Sequence, residues 1–402
     1  MSPDGGKRGP LEGIRVLDLS RVLSGPYCTM MLADQGAEVI KVENPAKGDD
    51  TRHMGPPFRG GESGFFISIN RNKKSITLNL KHPEGVELLK RLVEKSDVVV
   101  ENFRPGVTER LGIDYQALHK VNSRIIYCSI SGFGQTGPYR NRPAYNFTVQ
   151  AMSGVMTMTG EPGTGPFPVG ISLGDIPAGM FAAYAIAGAL YARETTGLGQ
   201  HIDIGMLDSL VAMMENPIVR YGMTGETPRA IGRYNPSITP FGVFSTADAP
   251  IVIAVGNDKL WQKFCGAIGH PEFLRDPRFM TNPLRTENSE VLHGLLTDML
   301  LKHTAREWLD LFVEQGIPSA LVNTVAEVFD DPQVRAREML VHVQQPHAGD
   351  VIIAGSPVRL SSYQHRRYEP APQFGEHTQG VLKEILGIDP EGVRELEEAG
   401  VI

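Results

Sequence analysis

From Ile14 onward the chain alternates short β-rich runs with segments of helical periodicity. "IRVLDLS" (Ile14–Ser20) reads as a strand, "GPYCTMMLADQGA" as a helix ending at Gly36, and "EVIKVE" as the next strand. The pattern recurs with "SITLNL", the amphipathic "PEGVELLKRLVEKS" opening at Pro83, "DVVVENF" and "RIIYCSIS". Parallel strands need long crossover connections, and helices of this length supply them. The pattern therefore predicts an α/β fold, a doubly wound Rossmann-like parallel sheet with helices on both faces. Ligands of such sheets collect beyond the carboxyl ends of the strands, so the loops there are the ones to inspect.

At 402 residues the chain exceeds the size at which one core usually stops growing, and two domains are expected. "GQHIDIGMLDSLVAMM" begins as a strand and becomes helical, and "TGETPRAIGRYNPSITP" then breaks the pattern with Gly, Pro and polar residues. A smaller α/β domain starts with the hairpin pattern "FGVFSTADAPIVIAVGND" and continues through Trp261 and Trp308. The expected division is a large domain over 1–225, a small one over 226–328, and a C-terminal segment over 329–402 that returns to the large domain.

A net charge of -7 without Lys/Arg blocks argues against a nucleic-acid surface, while leaving room for a local basic pocket that takes a phosphorylated small molecule. Cys28, Cys128 and Cys265 show no metal-binding spacing and read as reduced core thiols; no metal site is expected. The opening "MSPDGGKRGP" lacks the apolar segment of a secretory signal, so a cytoplasmic location is the expectation. Seventeen uncharged residues, Ile176 to Ala192, are short and rich in Ala and Gly for a membrane span, and read as a central helix buried in the protein.

Directly before that helix stands a lone carboxylate, Asp175, in "LGDIPAGM". It occupies an N-cap position with Pro177 in the first turn, so a capping role explains it. A carboxylate against apolar walls beside helical N–H groups is also a nucleophile in waiting. "SGFGQTGP" contains G-x-G-x-x-G at Gly132, Gly134 and Gly137 after a strand, but Pro138 and "YRNRP" continue as loop, where a dinucleotide fingerprint needs a helix. The basic candidates are Arg71, Lys73, Lys74 and Lys81 in "NRNKKSITLNLK", with Arg104 and Arg110 in "ENFRPGVTERLG". They read either as solvated loops or as a phosphate site.

Taken in order, "PLEGIRVLDLSRVLSGP", "GAEVIKVENPAKGDDTR", "NRNKKSITLNLK", "VVVENFRPG", "SISGFGQTGP", "LGDIPAGM", "TGLGQHIDIGMLDS" and "GEHT" resemble the class III CoA-transferase family over almost the whole chain. That family includes formyl-CoA:oxalate transferases and, on the same fold, α-methylacyl-CoA racemases. The resemblance implies that Asp175 is the catalytic carboxylate and that Val22, Leu78, Lys81, Asn102, Phe103, Arg110 and Met206 contact coenzyme A. The basic loop residues Arg71, Lys74 and Arg104 join them as candidates for its phosphates. Tyr145 matches an aromatic of the acyl site, and an interlocked homodimer is implied. A CoA thioester is then a substrate, no cofactor is permanently bound, and the partners are an acyl-CoA donor and a carboxylic acid acceptor.

The departures narrow the reading. Tyr145 replaces the histidine of the racemases, and a phenol titrates too high to deprotonate a thioester α-carbon near neutral pH. Asn146 stands where many relatives carry an acid. Leu23 stands where formyl-CoA:oxalate enzymes have glutamine, and "YNPSITPFG" replaces their glycine run, which turns the reading from oxalate toward succinyl-CoA with acids such as glutarate, malate, citramalate, mesaconate or itaconate. Candidates for the second carboxylate of such an acid are Arg52, Arg71, Arg233 and the loop from Ser237 to Thr239. The rivals are a CoA-thioester isomerase or racemase on the same fold, and a non-catalytic acyl-CoA-binding protein.

Overall fold

The structure, a computed structural model, describes residues 9–363 and 368–402. Residues 1–8 of the polar opening discussed above lie outside the described residues. The described chain divides into two units: one comprises 9–153, 169–219, 333–363 and 368–402, and the other 154–168 with 220–332. The second unit thus takes a segment from just before Asp175 that the sequence reading left in the large domain.

The first unit is built on six parallel strands: β1 (Arg15–Asp18), β2 (Glu38–Glu43), β3 (Lys73–Thr77), β4 (Val98–Glu101), β5 (Ile126–Ser131) and β6 (His201–Gly205). Their spatial order is β3-β2-β1-β4-β5-β6. The order reverses between β1 and β4, and at such a switch point adjoining loops part to leave a crevice beyond the strand ends. Strand side chains alternate between faces, so neighbouring residues enter different cores. Val16, Val39, Val98 and Cys128 join a cluster with helices Ser24–Asp34 and Ile176–Thr196. Leu17, Ile40, Val99 and Tyr127 join another with Pro83–Val93, Tyr115–Val121 and the C-terminal helices Thr378–Leu386 and Pro390–Glu398. Each fully buried Leu or Val here contributes about 1.5–3 kcal/mol of apolar transfer. All three cysteines are buried and free.

The long helix Ile176–Thr196 is not buried all round. Ala178, Ala182 and Ile186 are inside, while Tyr184 and Tyr191 are 79% and 80% exposed. Its small residues explain the close packing. A Cβ on Gly179 would lie 2.6 Å from the Ser24 carbonyl oxygen, so only glycine lets the helix Ser24–Asp34 approach so closely. Among the described residues, no helix is long and apolar enough to cross a membrane.

The strand read from "SITLNL" starts two residues earlier, at Lys73, and ends at Thr77. Lys73 is a strand residue because its charge is buried against Asp18, a pairing that hydropathy cannot reveal. The second unit carries the expected hairpin, Phe241–Ser245 against Pro250–Ala254, packed with helices Asp258–Ala267, Ser289–Leu300 and Ala305–Glu314 around Trp261, Phe264 and Trp308.

Candidate active site

Two adjoining cavities open at the carboxyl edge of the sheet. The larger, about 430 Å³, is bounded by the ends of β1 to β4 and includes Leu78, Lys81, Phe103 and Arg110. The smaller, about 140 Å³, includes Val22, Asn102, Arg104, Tyr145, Asp175 and Met206. Arg21 and Phe103 line both. Five cationic side chains, Arg21, Lys41, Lys47, Lys81 and Arg110, face two carboxylates, Glu43 and Asp49, in the larger cavity, so its field favours anions. Among the described residues, Lys81, Arg104 and Arg110 have no ion-pair partner, whereas Lys41 is spent on Asp49 at 2.7 Å.

The walls are held by backbone clamps. Asn102 Oδ1 accepts from Arg21 N–H at 2.9 Å, and its Nδ2 donates to the Arg21 carbonyl at 2.7 Å, tying the end of β4 to the loop after β1. Glu101 Oε2 accepts from Phe103 N–H at 2.8 Å, and burial pushes its carboxyl up to about 7. Val22 has φ of 68°, a left-handed conformation that a β-branched residue adopts only under constraint, and its N–H donates to Asp49 Oδ1 at 3.2 Å. Asp49 in turn is fixed by Lys41 and by the Thr51 N–H and hydroxyl.

Asp175 does not cap its helix. Its backbone is already helical, with φ of -93° and ψ of -48°, and its side chain accepts no capping hydrogen bond. Among the described residues its carboxylate has no hydrogen-bond or ion-pair partner. Half-buried without one, it is pushed by burial up to about 6. An unpartnered carboxylate in a cavity favours a functional role over the capping one.

Not every candidate comes to these cavities. Arg71 and Lys74 lie at the amino end of β3, the opposite end of that strand from Leu78 and Lys81. Arg71 forms a bidentate pair with Asp34, and Lys74 pairs with Glu38 at 2.6 Å. Five strand residues span on the order of 17 Å, which separates two ends that are close in sequence. Arg52 is committed to Glu43 through two hydrogen bonds and stacks on Phe66. Arg233 and Ser237 belong to the second unit, where Arg233 pairs with Glu161 at 3.5 Å and Ser237 N–H donates to Asn235 Oδ1 at 2.9 Å. Leu23 is buried and outside the cavity lining, and Asn146 is half-buried just behind Tyr145. Gly132 lines the smaller cavity, and the chain after it remains loop until helix Asn146–Ser153, with no helix where a dinucleotide would need one. Sequence reasoning missed Arg21, Glu101 and Asp49; only the adjacency of Glu101 and Arg21 to named residues hinted at them.

The sequence profile of CoA-transferase family III matches residues 11–378. The chain belongs to that family. It is 44% identical over 380 residues to the acetyl-CoA:oxalate CoA-transferase of Acetobacter aceti, covering 94% of this chain and 96% of that one. Identity to the succinyl-CoA:glutarate CoA-transferase of Mus musculus is 40% over 393 residues, covering 98% of this chain and 90% of that one. A crystal structure of a CAIB/BAIF family protein from Brucella suis superposes with a TM-score of 0.84 at 38% identity, covering 94% of this chain and 100% of that one. The cavities described above are thus those of a family III CoA-transferase.

Proposed function

We propose that this family III enzyme transfers CoA from an acyl-CoA donor, succinyl-CoA foremost, to a small dicarboxylic acid, with Asp175 as the nucleophile. The observation that carries the reading is an unpartnered carboxylate in a cavity that adjoins a larger, cation-lined one. Lys81, Arg104 and Arg110 meet the phosphates of CoA, while Val22, Leu78, Asn102, Phe103 and Met206 shape the path of the thioester toward Asp175. Tyr145 walls the acyl side.

The carboxylate attacks the thioester carbonyl, the C–S bond breaks, and a mixed anhydride forms with release of CoA thiolate. The thiolate then attacks the aspartyl carbonyl, giving aspartyl-CoA and freeing the donor acid as a carboxylate. An acceptor carboxylate attacks that thioester, again expelling thiolate and forming a new anhydride. Attack of the thiolate on the acceptor's acyl carbon yields the new acyl-CoA and returns Asp175 as a carboxylate. No proton need move in any step, but water must be kept from both intermediates.

Oxalate and glutarate, in the names of the relatives, are both dicarboxylic acids. The oxalate relative also brings the shortest diacid back among the acceptors, against the inference from Leu23, which lies outside the cavity lining. The exposed stripe of Met180, Tyr184 and Tyr191 on the long helix supports an interlocked homodimer. A dimer that fails to dissociate on dilution short of unfolding is expected in sedimentation.

The test is mass-spectrometric. Purified enzyme is mixed with succinyl-CoA or acetyl-CoA and each of oxalate, malate, citramalate, mesaconate, itaconate and glutarate, with Asp175→Ala alongside. A new acyl-CoA formed only by the wild type and only with diacids supports the reading. Turnover of one acyl-CoA without an acceptor would replace it with an isomerase.

A further inference from the structure

Helix Asn146–Ser153 and the loop leading into Asp175 are joined by side-chain amides. Asn146 Oδ1 accepts two hydrogen bonds, from Gly174 N–H at 2.8 Å and from Gln150 Nε2 at 2.7 Å. Gln150 Oε1 accepts from Val169 N–H at 2.9 Å. The two amides therefore hold both ends of the 169–174 loop. Gln150 is completely buried, so its amide has these partners in place of water. The loop lies directly on the helix: a Cβ on Gly174 would come within 2.6 Å of Val149 Cγ2 and 3.0 Å of Asn146 Oδ1.

The carboxylate of Asp175 has no hydrogen bond of its own, so its direction is set by the backbone on either side. After it, the helix is fixed by Gly179 N–H donating to the Asp175 carbonyl at 3.0 Å. Before it, the Gly174 peptide is fixed by Asn146. Tyr145, immediately before that helix, lines the cavity with Asp175. Asn146 itself does not line the cavity.

We propose that Asn146, backed by Gln150, is a positioning residue for Asp175, its amide oxygen fixing the Gly174 peptide and with it the angle at which the carboxylate meets a thioester. The inference rests on the reading of Asp175 as nucleophile. It also gives a role to the residue that stands where many relatives carry an acid. An amide oxygen accepts the same two N–H groups as a carboxylate would, and does so without a like charge beside a group that must itself be ionised.

The test compares Asn146→Ala, Asn146→Asp and Asp175→Ala in the intact enzyme with an acyl-CoA donor and a diacid acceptor. Asn146→Ala should lower kcat by about 10- to 100-fold, the scale of a small misplacement of a reacting group, with KM for acyl-CoA within about twofold. Asn146→Asp keeps an accepting oxygen and should recover kcat to within about threefold of wild type once the pH is high enough to ionise both carboxylates, its acid limb lying above that of wild type. Amide exchange over residues 169–174 should quicken in Asn146→Ala and return in Asn146→Asp. If Asn146→Ala fails to fold, Gln150→Met should show the same KM-sparing loss at about three- to tenfold. A wild-type kcat in Asn146→Ala or Gln150→Met, or an Asp variant no better than Ala, overturns the inference. Transfer that survives Asp175→Ala defeats the nucleophile reading and this inference together; Asp175-dependent transfer that is indifferent to Asn146 defeats this inference alone.

Discussion

Asp18 and Asp175 show two opposite ways in which this fold treats a carboxylate. Asp18, at the end of β1, is fully buried, and burial alone would raise its pKa. Lys73 at 3.0 Å, Lys41, Ser20 and Thr29 instead bring it down to about 2. Asp175 has burial without partners and rises to about 6. The first carboxylate is satisfied and holds the floor of the crevice: Lys73 also donates to Pro26 O and Asn70 Oδ1, and nearby Lys41 bonds Ser20 O and Asp49. The second is left unsatisfied where a ligand can reach it. The difference separates carboxylates that stabilise this fold from the one proposed as the nucleophile.

The comparison breaks most sharply on Asp175→Asn, which should cut transfer by three orders of magnitude or more, the scale of removing a catalytic nucleophile. Lys73→Met is next. It leaves Asp18 buried and unpaired, and denaturant unfolding should show a loss of about 3–5 kcal/mol, the cost of breaking a buried pair. Because Asp18 is depressed on folding, its contribution is present above about pH 4 and lost as pH falls toward 2.

Smaller effects sharpen the contrast. Arg110→Ala or Lys81→Ala should raise KM for acyl-CoA about tenfold, one charge-assisted contact, while sparing KM for the acceptor. Asp175→Asn should also be more stable than wild type by about 1–2 kcal/mol at pH 7, since a carboxyl raised on folding costs stability once ionised. The gain should vanish below about pH 4, where the wild-type carboxyl is protonated in both folded and unfolded states. Finally, kcat/KM should fall tenfold per pH unit below about 6, as Asp175 of the free enzyme takes up its proton. A limb near the ordinary carboxylate range would mean that Asp175 has a partner.

Much of the scaffold was legible because alternating strands and helices leave few topologies, and the motif at Asp175 stood out as a lone charge before an apolar helix. The failures have physical causes. "NRNKKSITLNLK" looks like one basic cluster, yet an extended strand carries Arg71 and Lys81 to opposite ends. Lys73 reads as solvated until its partner Asp18, 55 residues earlier, is seen. The uncharged run Ile176 to Ala192 gives no sign in its hydropathy of which face is covered, so the exposed Tyr184 and Tyr191 were hidden. Asp175 stands at a capping position, but only its backbone angles show that it does not cap.

The most direct measurement is peptide mass mapping of enzyme quenched after mixing with acyl-CoA alone. A CoA or acyl adduct on the peptide bearing Asp175, discharged when a diacid is added and absent in Asp175→Asn, is the result expected. Transfer to a diacid that proceeds undiminished in Asp175→Asn, with no adduct on that peptide in the wild type, would contradict the account.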